Sequence, residues 1–300
     1  MSSGFSEGEF LSKLFPLLNT DGVLVPPGDD CAVVEVGGKK LSISVDQLIQ
    51  GKHYLPETDP YRAGKKLMAR NLSDLAAMGA KPLFALISSA TGPDKDEDWL
   101  LRFHEGIVNE ADKYGTIIIG GDLAQAPTDT LASLTIIGEN ESAPLLRSGA
   151  CDSDALYVTG EFGRSFPSEH HLNFSPRVEQ GIFLVDFASA MIDITDGLLL
   201  DCSRVSLASG LGVCLEPGLI PPRKEASIQE RLTDGEDYEL LFAVSKQNEK
   251  KLQSDWPFSL KLTKIGHFSK NIKSGQIIDS SGIDLAEKYG SGFDHFNGIN

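Results

Sequence analysis

Six aspartates recur in a similar setting along this chain, each carried by a short apolar strand or helix close to glycine or another turn residue. They are Asp30, Asp46, Asp74, Asp122, Asp193 and Asp196. If several lay within about 5 Å of one another, each pair would repel by roughly 3 kcal/mol at an effective dielectric near 20. Divalent cations would relieve that repulsion, and Mg²⁺ prefers carboxylate oxygens together with phosphate oxygens and water. The pattern therefore indicates Mg²⁺-assisted chemistry on a phosphorylated ligand, although the sequence does not show that the six converge.

Three of these aspartates also have an ordinary structural explanation. Asp30 lies in the turn PPGDDCAVV, where Gly and Asp are common residues. Asp196 lies where a carboxylate would stabilise a helix N-terminus, and Asp74 could lie in water at the edge of a helical stripe of Leu and Met. Asp193 lacks such an explanation. The recurrence of all six is what favours a shared site.

Other routes to chemistry are absent or weak. The sequence contains no GxxxxGK[ST] phosphate loop, no GxGxxG opening a helix, no HExxH and no GxSxG. A lone histidine such as His53 is more often packed or exposed than functional. The pair His170-His171 has no second cluster at metal-ligand spacing, so a loop is favoured over a metal site. If phosphate binds here, Mg²⁺ must replace the usual lysine.

Composition narrows the class of protein. The chain has 300 residues, of which 41% are hydrophobic and 23% charged, with a formal net charge of -16; this suits a globular protein of two domains. The negative charge argues against a nucleic-acid or anionic-membrane surface, since both need clustered Lys and Arg. With no signal-like start and no apolar run approaching 18 residues, we expect a cytoplasmic protein. The four cysteines form no CxxC pair and are expected to be reduced.

The elements that must position the aspartates follow from caps and periodicity. The central one is a helix that begins at Asp59-Pro60, ends at Gly79 and carries Asp74. We also predict strands over residues 41–45, 83–88, 117–119, 131–138 (hairpin-like), 155–159, 212–216 and 238–244, and one that ends at Asp193. Further helices are predicted over residues 6–18, 99–114, 178–190 and 225–232, and from an N-cap at Thr195-Asp196 to Gly210. Small and polar residues at 150–154 indicate a boundary between domains 1–150 and 151–300.

Nine motifs of this chain resemble those of the thiamine-monophosphate kinase family in order and rough spacing. They are GDDCA at Gly28, SVDQL at Ser44, GKHY at Gly51, NLSDLAAMGA at Asn71, GGD at Gly120, RSGA at Arg147, IDITDGL at Ile192, GEDYELLF at Gly235 and GFDHF at Gly292. The likeness covers nearly the whole chain. It is specific, because sister families that share the fold do not combine NLSDLAAMGA with GEDYELLF.

This resemblance implies a fold and a reaction. The family belongs to the aminoimidazole-ribonucleotide-synthetase-like group, so we expect an α/β (α+β) protein of two domains. The mixed sheet of the N-terminal domain would pair with that of a second subunit to form a barrel, and an α/β domain would follow across a cleft. The implied reaction transfers the γ-phosphoryl of ATP to thiamine monophosphate, giving thiamine diphosphate and ADP. Several Mg²⁺ ions, ATP as co-substrate and a homodimer are implied with it.

The resemblance also implies roles for single residues. Mg²⁺ would be held by Asp30, Ser44, Asp46, Asp74, Asp122, Asp193 and Asp196. ATP would contact Gly121, Asp122, Arg147 and Thr195. The thiamine substrate would meet His53, Glu236 and Phe293, the last by stacking on its ring. No general base is assigned, because the acceptor phosphate is already an anion at neutral pH and positioning carries most of phosphoryl transfer.

The chain departs from the family pattern in three places, and none removes an implied metal ligand. Leu123 follows GGD where Thr is common, Asp234 replaces the first Gly of GGEDYEL, and the segment 163–171 is shorter than in most members.

Two other functions compete with this interpretation. One is a related enzyme of the same fold group acting on another phosphorylated or activated substrate. Hydrogenase-maturation relatives carry a C-terminal cysteine, and selenophosphate synthetases a reactive Cys or selenocysteine near the N-terminus with a following lysine. This chain ends in Asn300 and its first cysteine is Cys31, inside GDDCA. The other is a catalytically silent module that binds divalent cations or nucleotide and regulates a partner; the intact aspartates speak against it.

Overall fold

The structure is a computed structural model that describes residues 6–294 and 298–299. Within these ranges the chain forms two six-stranded sheets and one two-stranded sheet, with helices packed against them. This arrangement confirms the mixed α/β fold class expected from the sequence. None of the helices within the described ranges has the length and apolar character needed to cross a membrane.

The bounds of the elements are as follows. The helices are α1 Glu7–Leu14, α2 Pro60–Ala77, α3 Glu97–Lys113, α4 His170–Asn173, α5 Val178–Leu184, α6 Leu198–Ala208, α7 Ile228–Thr233, α8 Glu249–Asp255 and α9 Leu285–Tyr289, with short 3₁₀ helices at Phe15–Leu17 and Pro217–Leu219. The strands are β1 Val23–Val25, β2 Ala32–Val36, β3 Lys39–Ile49, β4 Lys81–Thr91, β5 Ile117–Gln125, β6 Leu131–Asn140, β7 Ala155–Thr159, β8 Ala188–Asp193, β9 Gly212–Leu215, β10 Leu240–Val244, β11 Leu262–Ser269, β12 Ile277–Ile278, β13 Phe293–Asp294 and β14 Gly298–Ile299.

The first sheet has the strand order β1-β2-β3-β6-β4-β5. Only β4 and β5 are parallel, because α3 crosses over between them; the other neighbours are antiparallel. On its inner face, Leu134 and Ile136 of β6 are fully buried against α2. Its outer face is largely uncovered: Val45, Phe84 and Leu86 are 61%, 37% and 40% exposed. The sheet thus has one core face and one apolar face that this chain does not cover.

The second sheet has the order β12-β9-β11-β7-β10-β8. Strands β7 and β10 are buried along their whole length, so both faces of the sheet are covered. Because side chains alternate between faces, Tyr157 and Phe242 point into the cluster that contains α2, whereas Leu156 and Leu241 point into a second cluster with α6. Helix α2 therefore lies between the two sheets and contributes residues to the interface of both halves.

Helix α2 begins and ends as the sequence predicts. The Asp59 carboxylate accepts a hydrogen bond from the Tyr61 N–H, Pro60 occupies the first turn, and Gly79 has φ +62° just beyond the C-terminus. The helix approaches α3 closely through glycine: a Cβ added at Gly64 would lie 1.9 Å from the Phe103 carbonyl oxygen. No larger side chain fits there unless the helices separate.

Three local predictions were wrong. Strand β6 forms no hairpin with β5 but inserts between β3 and β4, a long-range pairing that turn residues do not encode. Helix α5 ends at Leu184, and residues 188–190 instead begin β8, because pairing with β10 overrides their helical periodicity. The N-cap of α6 is Gly197, with φ +118°, so Thr195 and Asp196 precede the helix.

Candidate active site

Three carboxylates from distant parts of the chain meet beside α2. Asp74 comes from the helix itself, Asp193 from the end of β8, and Asp30 from the loop before β2. The Ser44 hydroxyl on β3 donates a hydrogen bond to Asp74 Oδ2. The Ser73 hydroxyl donates to Asp193 Oδ2 at 2.5 Å, across 120 positions of sequence. The two halves of the chain are therefore joined at these three carboxylates. Asp46 of β3 adds a fourth, whose charge acts on Asp74. We define the acidic cluster as Asp30, Asp46, Asp74 and Asp193.

Electrostatics show how closely these carboxylates interact. Burial raises the pKa of Asp74 well above its usual value, and the negative charges of Asp46 and Asp193 raise it further. Burial likewise raises the pKa of Asp193, with Asp30 the next largest cause. Asp30 Oδ2 is buried and has no hydrogen-bond partner among the residues that the structure describes. Buried carboxylates that repel one another and leave an acceptor unsatisfied are a donor set suited to a divalent cation.

The cluster alone does not enclose an ion. In the portion of the chain that the structure describes, no three His, Cys, Asp or Glu side chains converge closely enough to hold a metal ion by themselves. Mg²⁺ commonly binds through one or two carboxylates and completes its octahedron with substrate phosphates and water. The residues present therefore fit Mg²⁺ that arrives with a phosphorylated ligand rather than a closed protein cage.

Arginines line one side of the cluster. The Arg147 guanidinium donates to Asp30 Oδ1 through Nη2 at 2.5 Å and Nε at 3.2 Å. Arg204, which sequence reasoning missed, donates from Nη2 to Asp196 Oδ2 at 2.7 Å and pairs through Nη1 with Asp201. Asp201 in turn accepts the Thr195 and Asp196 N–H groups at 2.9 and 3.0 Å. These contacts fix the segment before α6, and with it two of the predicted site residues, at the cluster's edge.

A second group of predicted residues lies near the other end of α2. The buried Lys66 ammonium donates at 2.7 Å both to the His53 carbonyl oxygen and to Glu236 Oε1. The His53 ring is held in turn, because the Ile49 N–H donates to its Nδ1 at 2.9 Å. Burial lowers the pKa of Lys66 to about 8, opposed by the charge of Glu236. The structure thus brings together two residues expected to meet the thiamine substrate.

The loop that carries Glu236 is held in an unusual conformation. Glu236 and Tyr238 have φ of +63° and +51°, a region that L-residues adopt at a cost. Three acidic residues of the loop are each paired with a cation. Glu236 pairs with Lys66. The other two pairs are Asp237 with Arg223 and Glu239 with Arg177. Glu236 Oε2 is nevertheless buried, with no hydrogen-bond partner in the described ranges of the chain. Three ion pairs therefore stabilise a strained loop that leaves one acceptor available to a ligand.

Aromatic side chains lie beside this loop. The ring centroid of Phe293 is 5.9 Å from Lys52 Nζ, and the Phe293 N–H donates to the Asp196 carbonyl oxygen at 2.9 Å. Phe166 is 46% exposed; it stacks on His171 at 3.9 Å between centroids and lies 6.0 Å from Lys66 Nζ. An aromatic surface is therefore available near Glu236 for a flat ring.

Gly121 and Asp122 are not brought to the cluster within one chain. They lie on the edge strand β5, where Asp122 is exposed and pairs in register with Ser88, which faces outward with Phe84 and Leu86. Ser44, in contrast, is on the inner face with α2. Because alternate residues of a strand face opposite sides, the sheet itself separates Asp122 from the acidic cluster of the same chain.

The departures from the family pattern have structural explanations. Leu123 is 58% exposed on β5. The Asp234 carboxylate accepts the Arg164 N–H at 2.7 Å and so ties the 163–171 segment to the loop of Glu236. His170 and His171 lie in the short helix α4 and not in the predicted loop, and their rings contact the carbonyl oxygens of Asp237 and Ser165 at 2.8 and 3.1 Å.

Sequence reasoning missed the basic residues of α2. Lys66 and Arg70 precede Asp74 by eight and four positions, so helical spacing alone places all three on one broad face. The Arg70 Nε donates to Asp46 Oδ2 at 2.9 Å. Two basic residues on a predicted helix usually indicate a solvated surface. Their spacing therefore did not reveal a role in the site until their burial was known.

Comparisons with known proteins show which family this chain is similar to. Residues 28–139 match the family AIR synthase related protein, N-terminal domain. Thiamine-monophosphate kinase from Escherichia coli strain K12 is 35% identical over 90% of this chain and 91% of its own length. The enzyme of the same name from Buchnera aphidicola subsp. Schizaphis graminum is 33% identical over 97% and 99%. The solved structure of AaThiL complexed with AMPPCP and TMP superposes with a TM-score of 0.85, covers 97% of both chains and is 26% identical.

Fold and site together define the class, a protein with an AIR synthase-related N-terminal domain and a buried acidic cluster beside the helix that lies between two sheets. The relatives narrow that class by their identity over almost the full length of the chain. The chain belongs to the thiamine-monophosphate kinase family.

Proposed function

We propose that this chain transfers the γ-phosphoryl group of ATP to the phosphate of thiamine monophosphate, giving thiamine diphosphate and ADP. The observation that carries the proposal is the convergence of Asp30, Asp74 and Asp193 at the junction of the two sheets, next to the Lys66–Glu236 pair. The acidic cluster suits metal cations that accompany phosphates. The region around Glu236 offers a carboxylate and aromatic rings to an organic cation. Substrate and nucleotide would therefore meet along α2.

The chain's own residues would bind and orient rather than move protons. Mg²⁺ would be held by Asp30, Ser44, Asp46, Asp74, Asp193 and Asp196, with Asp122 as described below; when bound, it supplies the charge neutralisation that lets two polyanions approach. Arg147 and Thr195 would contact ATP at the edge of the cluster. His53, Glu236 and Phe293 would bind the thiamine moiety. The acceptor phosphate is already ionised, so alignment and electrostatics carry the step.

We propose a homodimer formed through the outer face of the first sheet. Val45, Phe84, Leu86 and Ile117 leave an apolar surface exposed there, and β5 is an edge strand whose outer backbone groups are unpaired. A second copy offers a matching apolar face of the same chemistry and would bury both. Gly121 and Asp122 would then lie at the subunit interface, where they can act on a site only in the assembled dimer. The division at residue 150 and a cytoplasmic location remain proposals from the sequence.

Incubation of the purified protein with ATP, Mg²⁺ and thiamine monophosphate tests the function. We expect thiamine diphosphate and ADP in equal amounts, detected by chromatography, and no product when Mg²⁺ is chelated. Unphosphorylated thiamine and inorganic phosphate serve as alternative acceptors. ATP binding without product under varied metal and salt would favour the silent regulatory module, and transfer to another acceptor would favour a related enzyme of the same fold group.

A further inference from the structure

Arg70 occupies the middle of the functional face of α2. Lys66, four residues before it, contacts His53 and Glu236; Asp74, four residues after it, belongs to the acidic cluster. At 1.5 Å rise per residue, each of these lies about 6 Å from Arg70 along the helix axis. Arg70 thus lies between the residues proposed to bind the thiamine ring and those proposed to bind Mg²⁺.

The hydrogen bonds of Arg70 are incomplete. Its Nε donates to Asp46 Oδ2 at 2.9 Å and its side chain is only 11% exposed, yet Nη1 is buried and has no acceptor among the described residues. Buried polar groups without a partner are rare in native proteins and call for an explanation, such as a missing ligand. Asp46 fixes one edge of the guanidinium, and the unsatisfied N–H leaves donor capacity for an anion.

Two other buried polar atoms near α2 are acceptors, whereas Arg70 Nη1 is a donor. Within the described part of the chain, Glu236 Oε2 and Asp30 Oδ2 are buried acceptors without a partner, the first near Lys66 and the second in the acidic cluster. A ligand that satisfies all three groups would carry a cationic or N–H-bearing end at Glu236 and an anion at Arg70. Beyond the anion it would carry a group that binds a metal cation, at Asp30. A thiamine phosphate ester aligned along α2 has that order, and a planar guanidinium matches the geometry of a phosphate.

We propose that Arg70 binds the phosphate of thiamine monophosphate and so both positions the acceptor and selects the phosphorylated over the unphosphorylated substrate. This inference rests on the proposed function and deepens it by assigning the acceptor subsite. The simpler role is a counter-ion for Asp46, which would account for Nε but leaves Nη1 unexplained. The two roles differ in what they do to ligands with and without a phosphate.

The test compares Arg70→Met with the wild-type protein by calorimetric titration of thiamine monophosphate and of thiamine, with Mg²⁺ present and ATP absent. We expect affinity for thiamine monophosphate to fall roughly 10- to 100-fold, the range for losing a hydrogen bond to a charged group. Affinity for thiamine and the KM for ATP should stay unchanged. Lys65→Met is the matched control on the same helix, because its Nζ contacts only the Asn173 carbonyl oxygen, at 3.5 Å near the surface; it should bind both ligands normally.

Wild-type affinity of Arg70→Met for thiamine monophosphate would overturn the inference, as would an equal loss for thiamine, which indicates a structural role. If Arg70→Met does not fold, Arg70→Lys keeps a charge beside Asp46 and should reduce only the preference for the phosphorylated ligand; an unchanged preference would count against the inference. Failure of the proposed function has a different signature. Wild-type protein would then make no thiamine diphosphate while the phosphate preference still depended on Arg70.

Discussion

Replacing Asp74 by Asn should stabilise the metal-free protein and abolish turnover at the same time. Asp74 is buried beside Asp46 and Asp193, and both raise its pKa after burial itself. A carboxylate pair at 5–7 Å repels by about 2–3 kcal/mol at an effective dielectric near 20. A carboxylate that is repelled in this way can relieve part of the repulsion by binding a proton. We therefore expect Asp74→Asn to gain about 1–3 kcal/mol in the free energy of unfolding. Asn can still accept the Ser44 hydrogen bond, so packing is preserved.

Mg²⁺ should cancel or reverse this difference in the free energy of unfolding between the two proteins. A cation at 100 times its Kd stabilises a protein by about 2.7 kcal/mol, a gain that the variant forfeits if Asp74 is a ligand. Thermal unfolding of chelator-treated and Mg²⁺-saturated protein measures both effects. A gain of 1–3 kcal/mol corresponds to about 2–5 °C in Tm for a chain of this size. Thiamine diphosphate formation should fall at least about 100-fold, since charge neutralisation carries the step.

Asp122→Asn is the matched control for this experiment. The same chemical change is made on the exposed strand β5, away from the cluster of its own chain, and should alter the metal-free free energy of unfolding by less than about 0.5 kcal/mol. The reasoning fails if metal-free Asp74→Asn is less stable than the wild type, or if Mg²⁺ stabilises both proteins equally. Near-normal turnover would remove Asp74 from the site.

Three further predictions concern pH, packing and assembly. Burial lowers the pKa of His170 from 6.5 to about 4, so between these pH values the unfolded chain binds a proton that the folded chain does not. The free energy of unfolding should therefore fall by up to about 3 kcal/mol as the pH drops from 6.5 to 4. Urea titrations at pH 5 and 7.5 should show that His170→Gln lacks this loss. Gly64→Ala should destabilise by about 2–4 kcal/mol because its Cβ meets the facing helix, whereas Gly8→Ala, with open space around it, should be neutral or stabilising; equal effects would contradict the packing account. Light scattering should give twice 32.4 kDa for the wild type and for Leu101→Lys, and 32.4 kDa for Leu86→Lys; a dimer that survives Leu86→Lys would exclude the outer face as its interface.

The sequence by itself determined the local elements that carry the site. Helix α2 could be bounded from Asp59, Pro60 and Gly79, because caps and proline act within one turn. A strand that ends at Asp193 and one over residues 41–45 that leads into Asp46 followed from apolar periodicity. Motif order also sufficed to indicate the family, since it depends on residue identity and not on contacts.

Only the tertiary structure decided which of those residues meet. Asp30, Asp74 and Asp193 converge because two sheets pack on opposite sides of α2, whereas Asp122, of the same type and in an equally specific motif, faces away on an outer strand. Lys66 and Arg70 became meaningful once their burial was known, since an exposed basic pair on a helix has no such consequence. Periodicity and caps are short-range effects, while convergence depends on pairing between residues more than a hundred positions apart, such as Ser73 and Asp193; no local pattern encodes that.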